Sequence, residues 1–236
     1  MEMVPIASWL AEAEAHRRKY GRPLVTLTYA QSLDGSISTR RGEPLAISGP
    51  ASLALTHRLR AAHQALLVGI GTVLADNPRL NVRLAEGESP RPVILDSHLR
   101  CPLEARLFQS GRQAPILAAA PPVSPAQRSR LQAAGAEIWE IPRDSSGRLS
   151  LAALLTALGQ AGISSLMVEG GARVITSFLQ AHLVDQVILT VAPLFIGGLN
   201  AVEETLLPTP LRLEDVGITR MDEDIILWGK ICAEEG

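Results

Sequence analysis

Aromatic rings are scarce in this 236-residue chain: three Phe, three Trp and two Tyr make up only 3% of it. Its core must therefore be aliphatic, and nucleobases would find few platforms to stack on, which weighs against binding of single-stranded nucleic acid. An excess of one charge is missing too. The 22 Lys and Arg against 24 Asp and Glu leave a formal net charge of −2, so there is no basic footprint for a polyanion. The two cysteines, Cys101 and Cys232, lie far apart and match no zinc spacing; they read as ordinary reduced thiols. None of the five histidines (16, 57, 63, 98 and 182) pairs at metal-ligand spacing, and His57 and His63, six apart, share no helix face. No apolar run is long enough to span a bilayer, and no basic stretch followed by an apolar one opens the chain, so the cytoplasm is the expected compartment. A G-x-S-x-G elbow is absent, as is the zinc-deaminase pair of H-x-E and P-C-x-x-C, which removes the usual hydrolase and deaminase chemistries.

What remains is ordinary globular material, 47% hydrophobic and 19% charged, long enough for one large α/β domain or two small ones. Residues 5–19 read as an amphipathic helix with Ile6, Leu10 and Trp9 on one side, an N-terminal extension over 1–20 ahead of a domain covering 21–236. The chain then alternates. Strands are expected at 24–30, 65–70, 93–96, 116–120, 137–141, 165–170 and 185–193, and two more within 211–231. Helices are expected at 50–63 with Ser48 as its cap, at 124–135 between a Ser124 cap and a Gly135 stop, from Ser150 to about 159, and at 172–181. Apolar runs without clean alternation mark strands covered on both faces, hence a largely parallel sheet between helices.

Three segments could carry chemistry. In LMVEGGARVITSFLQ (166–180) a buried strand ends in Glu169, Gly170 and Gly171 and a helix begins at once. Two glycines let a phosphate approach the backbone and a helix start offers free N–H groups, but the same residues also make a tight strand-to-helix turn that binds nothing. In VGIGTVLADNPRLNVR (68–83) Gly69 and Gly71 bracket a strand end without completing G-x-G-x-x-G, and Arg79 and Arg83 follow; with Arg58 and Arg60 these could clamp a phosphate or stand solvated. In LTYAQSLDGSIST (27–39) Asp34 and Gly35 favour a tight turn, and Asp34 taken alone suits that turn better than proton donation.

Taken in order, SLDG (32–35), HRLRA (57–61), VGIGTVLADNPRLNVR (68–83), VILDSHLRCPLEARLF (93–108), VEGGA (168–172) and LVDQVILTVAPLFIGG (183–198) resemble the pyrimidine reductases of riboflavin biosynthesis. That family includes the reductase half of bacterial deaminase-reductases and stand-alone archaeal and fungal enzymes. The resemblance implies a dihydrofolate-reductase-like α/β fold with a mostly parallel central sheet, NADPH as cofactor, a phosphorylated pyrimidine as substrate, and a homodimer. It implies reduction of a 5-phosphoribosylamino-pyrimidine to the ribitylamino compound by hydride transfer to C1′. Whether the substrate is the deaminated uracil or the 2,5-diaminopyrimidinone stays open, since the two differ by one exocyclic group.

By the same resemblance, Ala30, Thr72, Asp76, Ser97 and the run Gly171, Ala172, Arg173, Val174, Ile175, Thr176 and Ser177 match cofactor contacts. Arg60, Leu80, Arg83 and Glu169 match substrate contacts, and Glu169 and Asp34 are the carboxylates expected at the catalytic centre; no metal is expected. Ser97 and Arg100 follow the strand at 93–96, where they could reach a 2′-phosphate. Thr28 stands where bacterial members carry lysine, and Pro44 and Ala46 stand where they carry Ser and Trp; the stand-alone enzymes also lack that lysine. Two other readings remain: a related reductase acting on a pterin or another substrate, and a degenerate paralogue that binds nucleotide without turnover.

Overall fold

A computed structural model of the chain describes residues 4–43, 45–109, 113–203, 207 and 209–232. In chain order its elements are α1 (Ile6–Ala11), α2 (Ala13–Tyr20), β1 (Leu24–Ser32), β2 (Ser36–Ser38), α3 (Pro50–Ala62), β3 (Ala65–Gly69), α4 (Ile70–Asp76), β4 (Arg91–Leu95), β5 (Ile116–Ala119), α5 (Pro125–Ala133), β6 (Glu137–Glu140), α6 (Leu151–Gln160), β7 (Ser165–Val168), α7 (Ala172–Gln180), β8 (Gln186–Ala192), β9 (Leu199–Asn200), β10 (Leu213–Met221) and β11 (Asp224–Ile231). Nine strands form one sheet in the order β10-β11-β8-β1-β7-β3-β4-β5-β6. From β8 through β6 every pairing is parallel; β11 alone runs against its neighbours, and β2 with β9 makes a separate antiparallel ribbon.

Both faces of the sheet are covered, as its uninterrupted apolar strands require. Leu66 and Val68 of β3 face a layer made by Trp9, Leu55, Leu59, Val73 and Leu131, from α1, α3, α4 and α5. Ala65 and Leu67, one residue out of phase, face Leu154, Leu158, Ile175 and Phe178 of α6 and α7. At the amino-terminal edge Arg22 donates to both oxygens of Asp185, at 2.8 and 2.7 Å, and Asp185 also accepts the Val25 N–H at 2.7 Å, tying β1 to β8 where they enter the sheet.

Helix ends obey local chemistry in two cases. Ser124 Oγ accepts the Gln127 N–H at the start of α5, Ser150 Oγ accepts the Ala153 N–H at the start of α6, and Gly135 follows α5 with φ +100°. A third expected cap is displaced: α3 starts from Gly49 with no side-chain cap, and the Gly49 N–H is taken by Asp224 Oδ2 of β11 at 2.8 Å. The helix expected over 5–19 breaks at Glu12 into α1 and α2. Trp9, 6% exposed, enters the α3-side layer, so α1 packs onto the core. Two features had no sequence signal, the short helix α4 directly after β3 and the β2–β9 ribbon.

That ribbon explains Asp34. Its carboxylate accepts from Ser32 Oγ (2.5 Å), Ser36 Oγ (2.9 Å) and the backbone N–H groups of Ile196 (3.0 Å) and Gly197 (2.7 Å), stapling the β1–β2 turn to the loop between β8 and β9. Gly35, at φ +81°, makes the turn possible. Four donors, the Ser32 hydroxyl foremost, hold the carboxyl well below the usual carboxylate range, which favours its charged form and suits the turn better than proton donation. A carboxyl whose folded pKa is depressed stabilises the fold above its unfolded value of about 4 and loses that contribution as the pH falls further. We therefore expect Asp34→Asn to lower the urea midpoint at pH 7, with the gap from wild type shrinking steadily below about pH 4. A gap that is independent of pH down to the acid limit would show that the charge does not act.

Candidate active site

A cleft of about 1420 Å³ opens at the carboxyl ends of the parallel strands, where crevices in open α/β sheets form. Thr28, Tyr29 and Ala30 of β1 line it; Gly69 at the end of β3, Ser97 after β4 and Glu169 after β7 stand around it. The volume exceeds the roughly 300–1,000 Å³ of a single-ligand site and suits two ligands side by side.

The glycine pair does two different jobs. A Cβ on Gly170 would stand 2.6 Å from Val174 Cβ, so Gly170 is needed for α7 to pack this close behind the strand ends. A Cβ on Gly171 would meet nothing within 4 Å: this glycine faces the open cleft and leaves the helix start bare. The first intrahelical bonds of α7 are those of the Val174 and Ile175 N–H groups to Gly171 O, which leaves the N–H groups before them for a ligand. An open glycine, free amides and a positive dipole end fit the diphosphate of a dinucleotide cofactor.

Opposite α7, Arg60 of α3 and Glu169 form a two-pronged ion pair, Nε to Oε1 at 2.7 Å and Nη2 to Oε2 at 2.6 Å. Their side chains are 12% and 19% exposed. Burial works against the guanidinium charge, but the hydrogen bonds and charge of Glu169 outweigh it and raise the Arg60 pKa. Arg60 Nη1 also donates to Asn81 O at 3.2 Å. An acidic residue beside an anion site is thus explained by its partner. The pairing fills the Arg60 fork with a carboxylate, so here Arg60 and Arg83 do not stand as a free phosphate clamp.

Arg83 is exposed and lies outside the cleft lining, in the irregular stretch that follows α4. Partial burial and then the charges of Arg60, Arg79 and Arg106 lower its pKa, which places three more guanidinium groups around it. Leu80 is 2% exposed at φ +54°, a buried anchor of this stretch and not a cleft residue. Of the expected cofactor contacts, Ala30, Thr72, Asp76, Ser97, Gly171, Ala172, Arg173, Val174 and Ser177 line the cleft. Ile175 and Thr176 do not: helical periodicity turns both into the core, where Thr176 Oγ1 accepts the Glu203 N–H at 2.8 Å. Desolvation raises the Asp76 carboxyl above its ordinary range. Thr28 and Ala46 lie on the cleft wall, whereas Pro44 is outside the described residues.

Several cleft residues carried no usable signal. Thr56 lies one turn before Arg60; Ser38 and Leu199 come from the ribbon; Arg143 and Arg148 come from the loop between β6 and α6 and share the cleft with Arg100. Among the described residues no group of three His, Cys, Asp or Glu is placed to hold a metal ion. Burial, reinforced by Asp96 and Glu104, pushes the Cys101 thiol up to about 12, so it is not a nucleophile.

The family described as RibD C-terminal domain matches residues 23–227. A 2,5-diamino-6-ribosylamino-4(3H)-pyrimidinone 5′-phosphate reductase of Archaeoglobus fulgidus is 40% identical over 187 residues, 75% of this chain and 83% of that protein. The riboflavin biosynthesis protein RibD of Chlamydia muridarum is 37% identical over 77% of this chain, which spans about half (49%) of that longer relative. Among solved structures, the riboflavin biosynthesis reductase Rib7 of Saccharomyces cerevisiae superposes with a TM-score of 0.72 at 29% identity, over 97% of this chain and all of that one. The dihydrofolate reductase of Enterococcus faecalis, at 14% identity and a TM-score of 0.51 over 89% of this chain and 97% of its own, shares the fold alone. The expected α/β architecture, dihydrofolate-reductase-like with a mostly parallel sheet, is the one observed. With every cleft residue from Thr28 to Leu199 inside the matched span, this chain belongs to the RibD C-terminal domain family.

Proposed function

We propose that the protein is an NADPH-dependent reductase of riboflavin biosynthesis acting on a 5-phosphoribosylamino-pyrimidine and yielding the ribitylamino compound. The observation that carries this reading is the pairing, in one cleft, of a bare helix start that suits a diphosphate with a carboxylate held rigid by Arg60. The names of relatives that match it over most of their length support the reaction. Those stand-alone relatives are named for the 2,5-diaminopyrimidinone, which favours it over the uracil.

NADPH, when bound, supplies the hydride that reduces C1′ of the substrate. The chain's part is to hold and orient. The free amides at the start of α7 take the diphosphate, Ala30, Thr72 and Asp76 wall the cleft, and Ser97, with Arg100 behind it, suits a 2′-phosphate. Glu169 accepts hydrogen bonds from pyrimidine N–H groups and favours positive charge developing on the substrate nitrogen; Arg60 keeps it aimed. Arg83, amid like charges, suits the ribose phosphate, whose binding orients a distant reacting carbon. Ile175 and Thr176 support the helix from behind.

We further infer a homodimer. β8 has both backbone edges filled by β1 and β11, so it cannot accept a partner's strand. The apolar surface lies next to it: Val216, Ile218 and Ile225 of β10 and β11 are 52%, 60% and 43% exposed. Side chains like these on a sheet face are what a second copy would cover.

In an assay of nicotinamide absorbance, both pyrimidines should be compared with dihydrofolate. Oxidation of NADPH with a pyrimidine, none with dihydrofolate, and a kcat/KM at least about tenfold lower with NADH are the expected outcome; equal use of both cofactors would refute the cofactor assignment. Glu169→Gln should remove roughly 2–4 kcal/mol of transition-state stabilisation while NADPH affinity changes no more than a few-fold. Loss of NADPH binding by a folded Glu169→Gln protein would transfer the carboxylate to the cofactor. Arg83→Ala should mainly raise the pyrimidine KM. Light scattering at micromolar concentration should give about twice 25.2 kDa, and Ile218→Asp should give the monomer; a monomeric wild type would end the dimer proposal.

A further inference from the structure

The stretch between α4 and β4 contains no helix or strand, yet it carries Leu80 and Arg83. It is seated on α3 by three residues of one helical stripe, at i, i+3 and i+4. Arg60 donates to Asn81 O at 3.2 Å. Gly87 lies so near Ala61 that a Cβ on it would stand 2.7 Å from the Ala61 Cβ. The third contact is a histidine: His57 Nδ1 accepts the backbone N–H of Arg83 at 3.2 Å. Val82 N–H to Ser89 Oγ, at 3.1 Å, closes the stretch on itself.

His57 is completely buried. Burial, and then the charges of Arg60 and Arg83, lower its pKa to about 4 against the opposing pull of Glu169, so the ring is neutral near pH 7. With Nδ1 accepting, the hydrogen sits on Nε2, which has no partner among the described residues. A buried donor without a partner is a cost that an aliphatic side chain of similar bulk would not carry. Filling space therefore does not account for an imidazole here; the acceptor at Nδ1 does.

We propose that His57 is a positioning residue for anion binding: by fixing the Arg83 backbone against α3, it sets where that guanidinium meets the phosphate of the substrate. The inference rests on the reading of Arg83 as the phosphate contact. It adds a residue that touches neither substrate nor cofactor and acts through the main chain of another.

Three variants test it. His57→Asn keeps an acceptor where Nδ1 stands, His57→Gln moves it one bond outward, and His57→Leu removes it. One lost hydrogen bond corresponds to a change of about threefold to tenfold. His57→Leu and His57→Gln should raise the pyrimidine KM by that factor, with kcat and the NADPH KM near wild type, and His57→Asn should restore the KM. Amide exchange over residues 80–84 should quicken by a similar factor in the Leu and Gln variants and not in Asn. If Leu does not fold, the Asn–Gln comparison decides alone. Equal effects of Asn and Gln, or kcat and NADPH KM moving together with the pyrimidine KM, would overturn the proposal. Should the wild-type protein not reduce the pyrimidines, the functional reading falls, and the exchange rates still decide whether His57 holds Arg83.

Discussion

Arg60 and Glu169 are both less than one-fifth exposed and meet through two short hydrogen bonds at the mouth of the sheet. Desolvating two such charges is expensive and their attraction roughly balances it, so the pair adds little net stability. Breaking it is another matter: one ion left alone in a part-buried position costs several kcal/mol. The constraint therefore acts on geometry. It fixes α3 relative to the end of β7, and through Nη1 of Arg60 it reaches the chain at Asn81. The carboxylate is thereby oriented before any ligand arrives, the condition under which an electrostatic contact serves a developing charge without reorganisation.

Facing that pair, α7 approaches the strand ends closely because Gly170 presents no side chain to Val174. Val174 belongs to the apolar layer on the far side of the sheet, so the position of the helix start is set by core packing and not by any ligand. The two walls of the cleft are thus held by different forces, ionic on the α3 side and apolar on the α7 side. The β2–β9 ribbon joins them from the third side, kept in place by the ionised Asp34.

Charge is distributed locally in a chain whose net charge is only −2. Arg79, Arg83 and Arg106 gather beside the α3 wall, and Arg100, Arg143 and Arg148 line the cleft elsewhere. Two cationic regions thus stand on a near-neutral surface, where their fields are local and not spread over the whole protein.

The order of strands and helices was written in the sequence because each apolar run is long enough to be buried and each is bounded by turn chemistry such as Ser124, Ser150 and Gly135. The family was equally legible, since its segments recur in order along most of the chain. Local signals failed where the cause was distant. Ser48 does not cap α3: the helix starts from Gly49, whose own N–H goes to Asp224, 175 residues further on. The local reading of Asp34 as a turn residue could not include its backbone partners, Ile196 and Gly197, which are remote in sequence. The pairing of Arg60 with Glu169 was equally invisible, since only the sheet brings that carboxylate against α3. Residue types and their periodicity, which are local, were determined by the sequence alone. Which charges meet was decided only by the packing of the strands and helices.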